Sequence, residues 1–376
     1  MRIGINAQLC SSSSSYRNAG VSQYIWRLLQ GIGEIQPAAE IHVFLPGANR
    51  DSFHNSFVLH KRKFQTEHPL VRIAWEHTVF PFLISSLKLD VIHSPVHVLP
   101  VICPTASVVT VLDLAFMRYP RTYPLMQWKY LEFFTRRAVK KADAIITISE
   151  STRQEVIRLL GGEPRKIHTV LLAAGNSFRP ASSEKIEEIK KRYGFDEPCV
   201  LYVGTLEPRK NVPTLLLAFD KVRRELDGRC KLVIAGGKGW FYSEIFRRIE
   251  DLGICDDVRF TGYVPAEDLP ALYSSATVFV YPSLYEGFGL PPLEAMACGT
   301  PVITSNVSSL PEVVGDAGIM VDPRDPQELA EAIIRVLEDA DLRLHMREKG
   351  LRRASEFTWR KTARQTLEVY EKVAAT

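Results

Sequence analysis

Short runs rich in Val, Ile and Leu punctuate the chain. In the first half they are RIGINA (2–7), IHVFLP (41–46), DVIHSP (90–95), SVVTVLD (107–113), AIITIS (144–149) and IHTVLL (167–172). Each is close to continuously apolar, as expected of strands buried on both faces of a parallel sheet. Amphipathic stretches such as VSQYIWRLLQGI (21–32) and LMQWKYLEFFTRRAVKKA (125–142) lie between them. The second half repeats the plan with VLYVG (200–204), KLVIAG (231–236), VRFTGYV (258–264), TVFVYPS (277–283), PVITSN (301–306) and GIMVDP (318–323). Helical patterns there cover 211–226, 239–252, 326–340 and 341–357. Strand–helix alternation twice over predicts an α/β protein of two doubly wound, Rossmann-like domains. The Ser-, Pro- and Gly-rich stretch GNSFRPASSEK (175–185) marks the linker, giving domains 1–178 and 179–357. A last helical pattern (359–373) is long enough to cross back, so 358–376 is assigned to the N-terminal domain. Such sheets bind ligands beyond the carboxyl ends of their strands, and two facing sheets would put the site in the cleft between them.

A length of 376 residues agrees with two cores, and 46% apolar against 24% charged residues argues against disorder. Six cysteines (Cys10, Cys103, Cys199, Cys230, Cys255, Cys298) show no paired spacing and read as buried free thiols in a reducing compartment. The opening MRIGINAQLC lacks the apolar core of a signal peptide, and no run approaches the ~20 apolar residues of a membrane span, so a cytoplasmic protein is expected. Charge is uneven. Residues 1–180 hold 21 Lys and Arg against 12 Asp and Glu, whereas residues 181–376 hold 26 against 31. HKRK (60–63) and RRAVKK (136–141) contribute to the basic half. That half favours anionic partners, and peripheral contact with the inner face of an anionic membrane is expected rather than nucleic acid. The run SSSSS (11–15) sits between the first strand and first helix, where either a binding loop or flexible filler fits.

The chemistry concentrates after two second-half strands. VLYVG ends at Gly204 and leads through TLEPRKN (205–211) to a helix beginning near Asn211. Arg209 and Lys210 stand at that helix start, where cations oppose the dipole unless an anion is bound; a diphosphate site explains them better than a solvated turn. After TVFVYPS comes EGFGLPPLE (286–294). Gly287 and Gly289 allow close backbone approach to a ligand. Glu286 stands at the strand end, and Glu294 about one turn into the helix that Pro291 and Pro292 open. Carboxylates accept paired O–H bonds from diols, so one glutamate is read for a sugar and the other for a ribose, with phosphates between.

EGFGLPPLE, with GTLEPRKN upstream and AMACGTPVI…LPEVVGDAGIMVDP downstream, resembles the retaining glycosyltransferases of family 4, which share the two-domain GT-B fold. The resemblance is strong over the second domain and loose over the first. It implies that Arg209 and Lys210 hold the diphosphate of a nucleotide sugar and that Glu286 contacts the donor sugar. It implies backbone contacts to the donor from Phe288, Gly289 and Leu290, with Gly204 shaping the turn. Glu294 would bind the ribose, and Tyr263 and Val264 would border the base. Gly20 and Val21 would form a glycine loop near the donor phosphates and acceptor. Many relatives carry His-Asp where this chain has Leu112-Asp113; Asp113 keeps the aspartate, and His93 or His97, after a neighbouring strand, are acceptor-side candidates. Glu286, Asp113, Arg209 and Lys210 form the expected catalytic set.

No metal is expected: the one D-x-D, Asp339-Ala340-Asp341, lies between two helical patterns and reads as a helix break and cap, and no HExxH occurs. The absence of G-x-G-x-x-G after the first strand and of a P-loop argues against a nicotinamide dehydrogenase and a P-loop kinase. A nucleotide-sugar epimerase would need neither the basic half nor the E-x7-E loop. The expectation is a metal-independent, retaining hexosyltransferase using a nucleotide sugar, GDP-mannose first and UDP-glucose second, without a further cofactor. The acceptor would be a glycan or lipid-linked glycan of envelope polysaccharide assembly. A non-catalytic sugar-nucleotide-binding scaffold is the alternative.

Overall fold

In a computed structural model, residues 1–10, 19–46, 54–61, 69–195, 198–237, 239 and 243–375 are described. The chain forms two compact units, Met1–Leu172 with Thr358–Thr376, and Ala173–Phe357. The boundary falls just before the expected linker, whose last residues already belong to the helix Ser183–Tyr193.

Among the described residues the N-terminal unit holds seven strands: β1 (Arg2–Asn6), β2 (Glu40–Leu45), β3 (Val58–Lys61), β4 (Val91–Ser94), β5 (Ala106–Val111), β6 (Ala144–Thr147) and β7 (Ile167–Thr169). They form one parallel sheet in the order β3-β2-β1-β4-β5-β6-β7. Ile3, Ile5, Val91, Ile92, Val108, Val109 and Ile145 are fully buried, as the unbroken apolar runs require. The edge strand β3 was not anticipated. Its sequence, VLHK, ends in the cluster HKRK, and an edge strand needs only one covered face. Arg62 and Lys63, like the SSSSS run, lie outside the described residues. RRAVKK closes the helix Leu125–Lys141, with Lys140 and Lys141 in its last turn.

The C-terminal helix Trp359–Ala374 belongs to this unit. Thr358 caps it by accepting from the Lys361 N–H at 3.2 Å. Trp359, Ala363, Leu367, Tyr370 and Val373 are buried at helical spacing. The helix packs on Ala19–Ile35, where Gly31 permits the approach: a Cβ there would lie 2.8 Å from the Trp359 carbonyl oxygen.

The C-terminal unit holds β8 (Cys199–Val203), β9 (Lys231–Ala235), β10 (Val258–Gly262), β11 (Val278–Tyr281), β12 (Val302–Ser305) and β13 (Ile319–Val321). These too are parallel, in the order β10-β9-β8-β11-β12-β13. Asp339 is the expected cap, accepting from the Leu342 N–H at 2.8 Å. All six cysteines are free, but Cys255 is exposed and Cys103 only partly buried, which corrects the expectation of six buried thiols. Among the described residues no helix is long and apolar enough to cross a membrane.

Candidate functional site

In the C-terminal sheet, sequence order runs outward in opposite directions from the β8–β11 pair. Adjacent loops at such a switch point diverge to opposite faces and leave a crevice at the carboxyl ends of the strands. The two loops singled out from sequence are those leaving β8 and β11.

After β8 the chain turns through a 3₁₀ segment, Pro208–Lys210, to the helix Val212–Glu225. Asn211 joins the two with a left-handed φ of 58°. Its side-chain amide donates to the Pro282 carbonyl at 3.0 Å and the Pro323 carbonyl at 2.6 Å, tying this turn to the end of β11. The Leu284 N–H donates to the Arg209 carbonyl at 2.9 Å. Both loops are therefore held against each other by the Asn211 amide and one backbone hydrogen bond, before any charged side chain is considered.

The side chains complete the junction. Lys210 Nζ donates to Glu286 Oε1 at 2.7 Å and to the Tyr281 hydroxyl at 2.6 Å. Arg209 donates to Glu286 Oε2 at 3.0 Å, to the Tyr285 carbonyl at 2.8 Å and to Glu207 Oε1 at 2.7 Å. Lys210 and Glu286 are buried, at 8% and 7% exposure, which excludes a solvated turn. Burial alone would raise the Glu286 carboxyl, but the Lys210 ammonium and Arg209 guanidinium hold it down at about 2. Burial, with Arg209 adding to it, lowers the Lys210 ammonium below its ordinary range while Glu286 opposes. The cluster is thus an ionised carboxylate between two cations.

The loop after Glu286 is built to stay in place. The Glu286 N–H donates to Ser308 Oγ at 3.0 Å, and the Ser308 hydroxyl donates back to the Glu286 carbonyl. The Ser309 hydroxyl donates to the Phe288 carbonyl at 2.6 Å. Gly289 has φ 115°, and a Cβ there would meet Leu310 Cδ2 at 2.8 Å; a side chain is excluded by strain and by space. The helix Leu290–Ala297 opens with Pro291 and Pro292 in its first turn, as the sequence predicted. Glu294, half-buried on it, accepts from the Tyr273 hydroxyl at 3.1 Å. The Phe288 side chain is buried against Phe357.

Arg209, Lys210 and Glu286 are brought into direct contact, more closely than separate phosphate and sugar roles suggested. Glu294 stands apart with Tyr273. Gly204 follows β8, its N–H donating to the Ala235 carbonyl at 2.9 Å. Tyr263 and Val264 follow the edge strand β10; Tyr263 is 46% exposed and Val264 is buried. Sequence reading missed Glu207, Tyr281, Asn211 and the Ser308-Ser309 pair. Glu207 and Asn211 flank Arg209-Lys210 in the quoted run, but their partners are distant in sequence.

In the N-terminal unit the order reverses between β1 and β4. Gly20, after β1, is the second residue of the helix Ala19–Ile35 and is exposed, with open space where a Cβ would stand. His93, on β4, is fully buried. Its Nδ1 lies 2.6 Å from the Tyr370 hydroxyl and its Nε2 2.8 Å from Thr110 Oγ1, which in turn lies 3.0 Å from the Tyr24 hydroxyl. Burial drops its pKa to about 3, so it is a neutral link that fastens the C-terminal helix rather than a group turned to an acceptor. His97 differs. It sits beyond β4 with a left-handed φ of 50°, is 9% exposed, and has no partner for Nδ1 among the described residues. Burial lowers its pKa while Asp113 opposes. Asp113, just after β5, accepts from the Ala115 N–H at 2.9 Å, a side-chain turn that leads into the short helix Ala115–Arg118.

Two parallel α/β units, one with two cations and a carboxylate clustered at its switch point, fit the two-domain fold of glycosyltransferases, and comparison with known proteins agrees. Residues 185–353 match the model of the glycosyl transferases group 1, and residues 19–171 that of glycosyltransferase family 4. The chain is 38% identical over 266 residues to the O-antigen chain mannosyltransferase B of Escherichia coli, covering 70% of each chain. It is 34% identical over 250 residues to the serotype-specific mannosyltransferase WbdA of Escherichia coli, covering 65% of this chain but 31% of that protein. In structure it resembles the sucrose-phosphate synthase of Thermosynechococcus elongatus, with a TM-score of 0.80 and 22% identity over 100% of this chain and 99% of that one. Anabaena HepE, solved with UDP-glucose, has a TM-score of 0.75 at 18% identity over 99% and 100%. The chain belongs to glycosyltransferase family 4. It is a glycosyltransferase of the GT-B fold.

Proposed function

We propose that the chain transfers a mannosyl residue from GDP-mannose to a glycan or lipid-linked acceptor, with retention of configuration and without a metal ion. The observation that carries the reading is the buried Arg209–Lys210–Glu286 cluster at the β8–β11 switch point. As the glycosidic bond breaks, negative charge builds on the leaving nucleoside diphosphate, and two fixed cations in a dry site stabilise it without reorganising. Lys210 has a third N–H beyond the two that Tyr281 and Glu286 accept, available to a phosphate oxygen. Glu286, held ionised, cannot deliver a proton at neutral pH; its role is to orient the sugar and to balance positive charge growing at the anomeric carbon. Glu294 takes the ribose diol, and Tyr263 and Val264 border the base. On the N-terminal unit, His97 with Asp113 is the acceptor-side pair, in preference to His93, whose ring nitrogens are both engaged.

Mannose is supported by the mannosyltransferase relatives, and GDP by the resemblance of the run GTLEPRKN to bacterial mannosyltransferases. A UDP-sugar is the second reading, favoured by the UDP-glucose complex of HepE. Contact with an anionic membrane through the N-terminal unit is part of the proposal. Met126 and Phe133 stand exposed on the helix Leu125–Lys141 with Lys129 and Arg136 at helical spacing. Calorimetry with GDP, UDP and ADP, without metal and then with Mg²⁺, tests the donor. Selective metal-free binding of GDP supports the proposal, selective binding of UDP moves the second reading ahead, and no binding by any of the three removes the donor site.

A further inference from the structure

The N-terminal unit carries a second feature that sugar transfer does not use. At the amino ends of β5, β6 and β7, opposite the carboxyl ends where His97 and Asp113 lie, is a cavity of about 1030 Å³. Its walls come from the segment 99–107, the end of the helix Leu125–Lys141, the turn Pro164–Lys166 and the last turn of the C-terminal helix. Five cations line it: Arg137, Lys141, Arg165, Lys166 and Lys372.

Against these five cations stand Asp143, which also lines the cavity, and Glu163 beside it. Asp143 accepts from the Ser107 N–H at 2.8 Å and hydroxyl at 2.9 Å, which commits it to fastening the start of β5. Glu163, half-exposed, pairs with Arg165 at 2.9 Å and Lys166 at 3.4 Å. Arg137 donates to the Val101 carbonyl at 2.8 Å, which fixes its guanidinium at the wall. Cations at two helix C-termini answer the helix dipoles, and this accounts for Lys141 and Lys372. It does not account for Arg165, which reaches the same space from the turn Pro164–Lys166, while Arg137 lies one turn earlier on the same helix as Lys141. The excess positive field is felt by His168 on the wall: burial lowers its pKa and Lys372 lowers it further. Like charges gathered round one cavity repel unless an anion enters.

We propose that this cavity is a binding site for a phosphate-bearing anion carrying two or more negative charges. Two guanidinium forks on separate segments suit the several acceptor oxygens of a phosphate, and the lysines supply point charge around them. The volume admits more than a single phosphate group. The phosphate could belong to a soluble compound or to a lipid headgroup, since Val101 on the cavity wall is 42% exposed and its chain neighbour Ile102 is 68% exposed.

Inorganic pyrophosphate is the probe, titrated calorimetrically into the full chain carrying Lys210→Ala, which silences the donor site. The expected result is binding that weakens with added salt and falls at least tenfold when Lys141→Glu and Arg165→Glu are added. Both positions are exposed, and Lys141→Gln with Arg165→Gln is the milder pair should the reversal perturb folding; circular dichroism and melting temperature check each. Absence of pyrophosphate binding in the Lys210→Ala protein, or equal binding after both charge changes, overturns the proposal. Co-sedimentation with vesicles of phosphatidylcholine alone and of phosphatidylcholine with phosphatidic acid, whose phosphomonoester headgroup carries up to two charges, separates the sources. Anionic-vesicle binding that pyrophosphate reverses and the charge changes abolish assigns the site to a headgroup. Pyrophosphate binding without that effect on vesicles assigns it to a soluble phosphate compound.

Discussion

Replacing Glu286 with Gln removes the charge that holds two buried cations while keeping the shape. A carboxyl held at about 2, against its ordinary 4.5, contributes about 3 kcal/mol to folding at neutral pH. The sign follows from the lowered value: the contribution is complete above pH 4.5 and is lost as the pH falls through about 2. Glu286→Gln should therefore destabilise the C-terminal unit by about 3 kcal/mol at pH 7 and by little near pH 2, with Arg209 and Lys210 left short of counter-charge. The same change should raise affinity for GDP, because a phosphate no longer competes with a carboxylate for the two cations, whereas turnover with the sugar donor should collapse. Hydrogen exchange of peptides covering β8 and β11, measured across that pH range, reads the first effect, and calorimetry with GDP the second. Unchanged exchange protection together with unchanged or weakened GDP binding would refute the view that Glu286 is the resident counter-charge of a phosphate clamp.

Four further outcomes are expected. Lys210→Ala should weaken GDP binding by about tenfold to a hundredfold, the worth of a charge-assisted contact, as read by calorimetry. Glu294→Ala should cost nucleotide affinity by about tenfold and leave kcat nearly unchanged, since a ribose contact is the same in ground and transition states; a fall in kcat with intact affinity would reverse the assignment. Tyr370→Phe, which leaves His93 Nδ1 without its partner, should destabilise the N-terminal unit by about 1–3 kcal/mol in denaturant unfolding. His97→Ala should lower kcat by about tenfold or more with GDP affinity unchanged, and equal turnover would return His97 to a packing role.

The sequence was sufficient for the strands that lie inside the sheets, because burial on both faces demands an unbroken apolar run, and no distant residue is needed to see one. It also marked the turn after β11 and the helix start beyond it, since Gly289, Pro291 and Pro292 are backbone requirements written where they act. Edge strand β3 escaped, because a strand covered on one side needs little apolar sequence. The pairing of Lys210 and Arg209 with Glu286 could not be read from spacing. Some 76 residues separate Lys210 from Glu286, and only the adjacency of β8 and β11 in the sheet brings them within 2.7 Å. Likewise His93 and His97 look equivalent in IHSPVH. Tertiary packing decides between them, because Tyr370 arrives from the far end of the chain to occupy one ring, while the other, near Asp113, has a nitrogen with no partner among the described residues. Local sequence sets which backbone shapes and burial patterns are allowed; which charges meet is set by sheet order, a property of the whole fold.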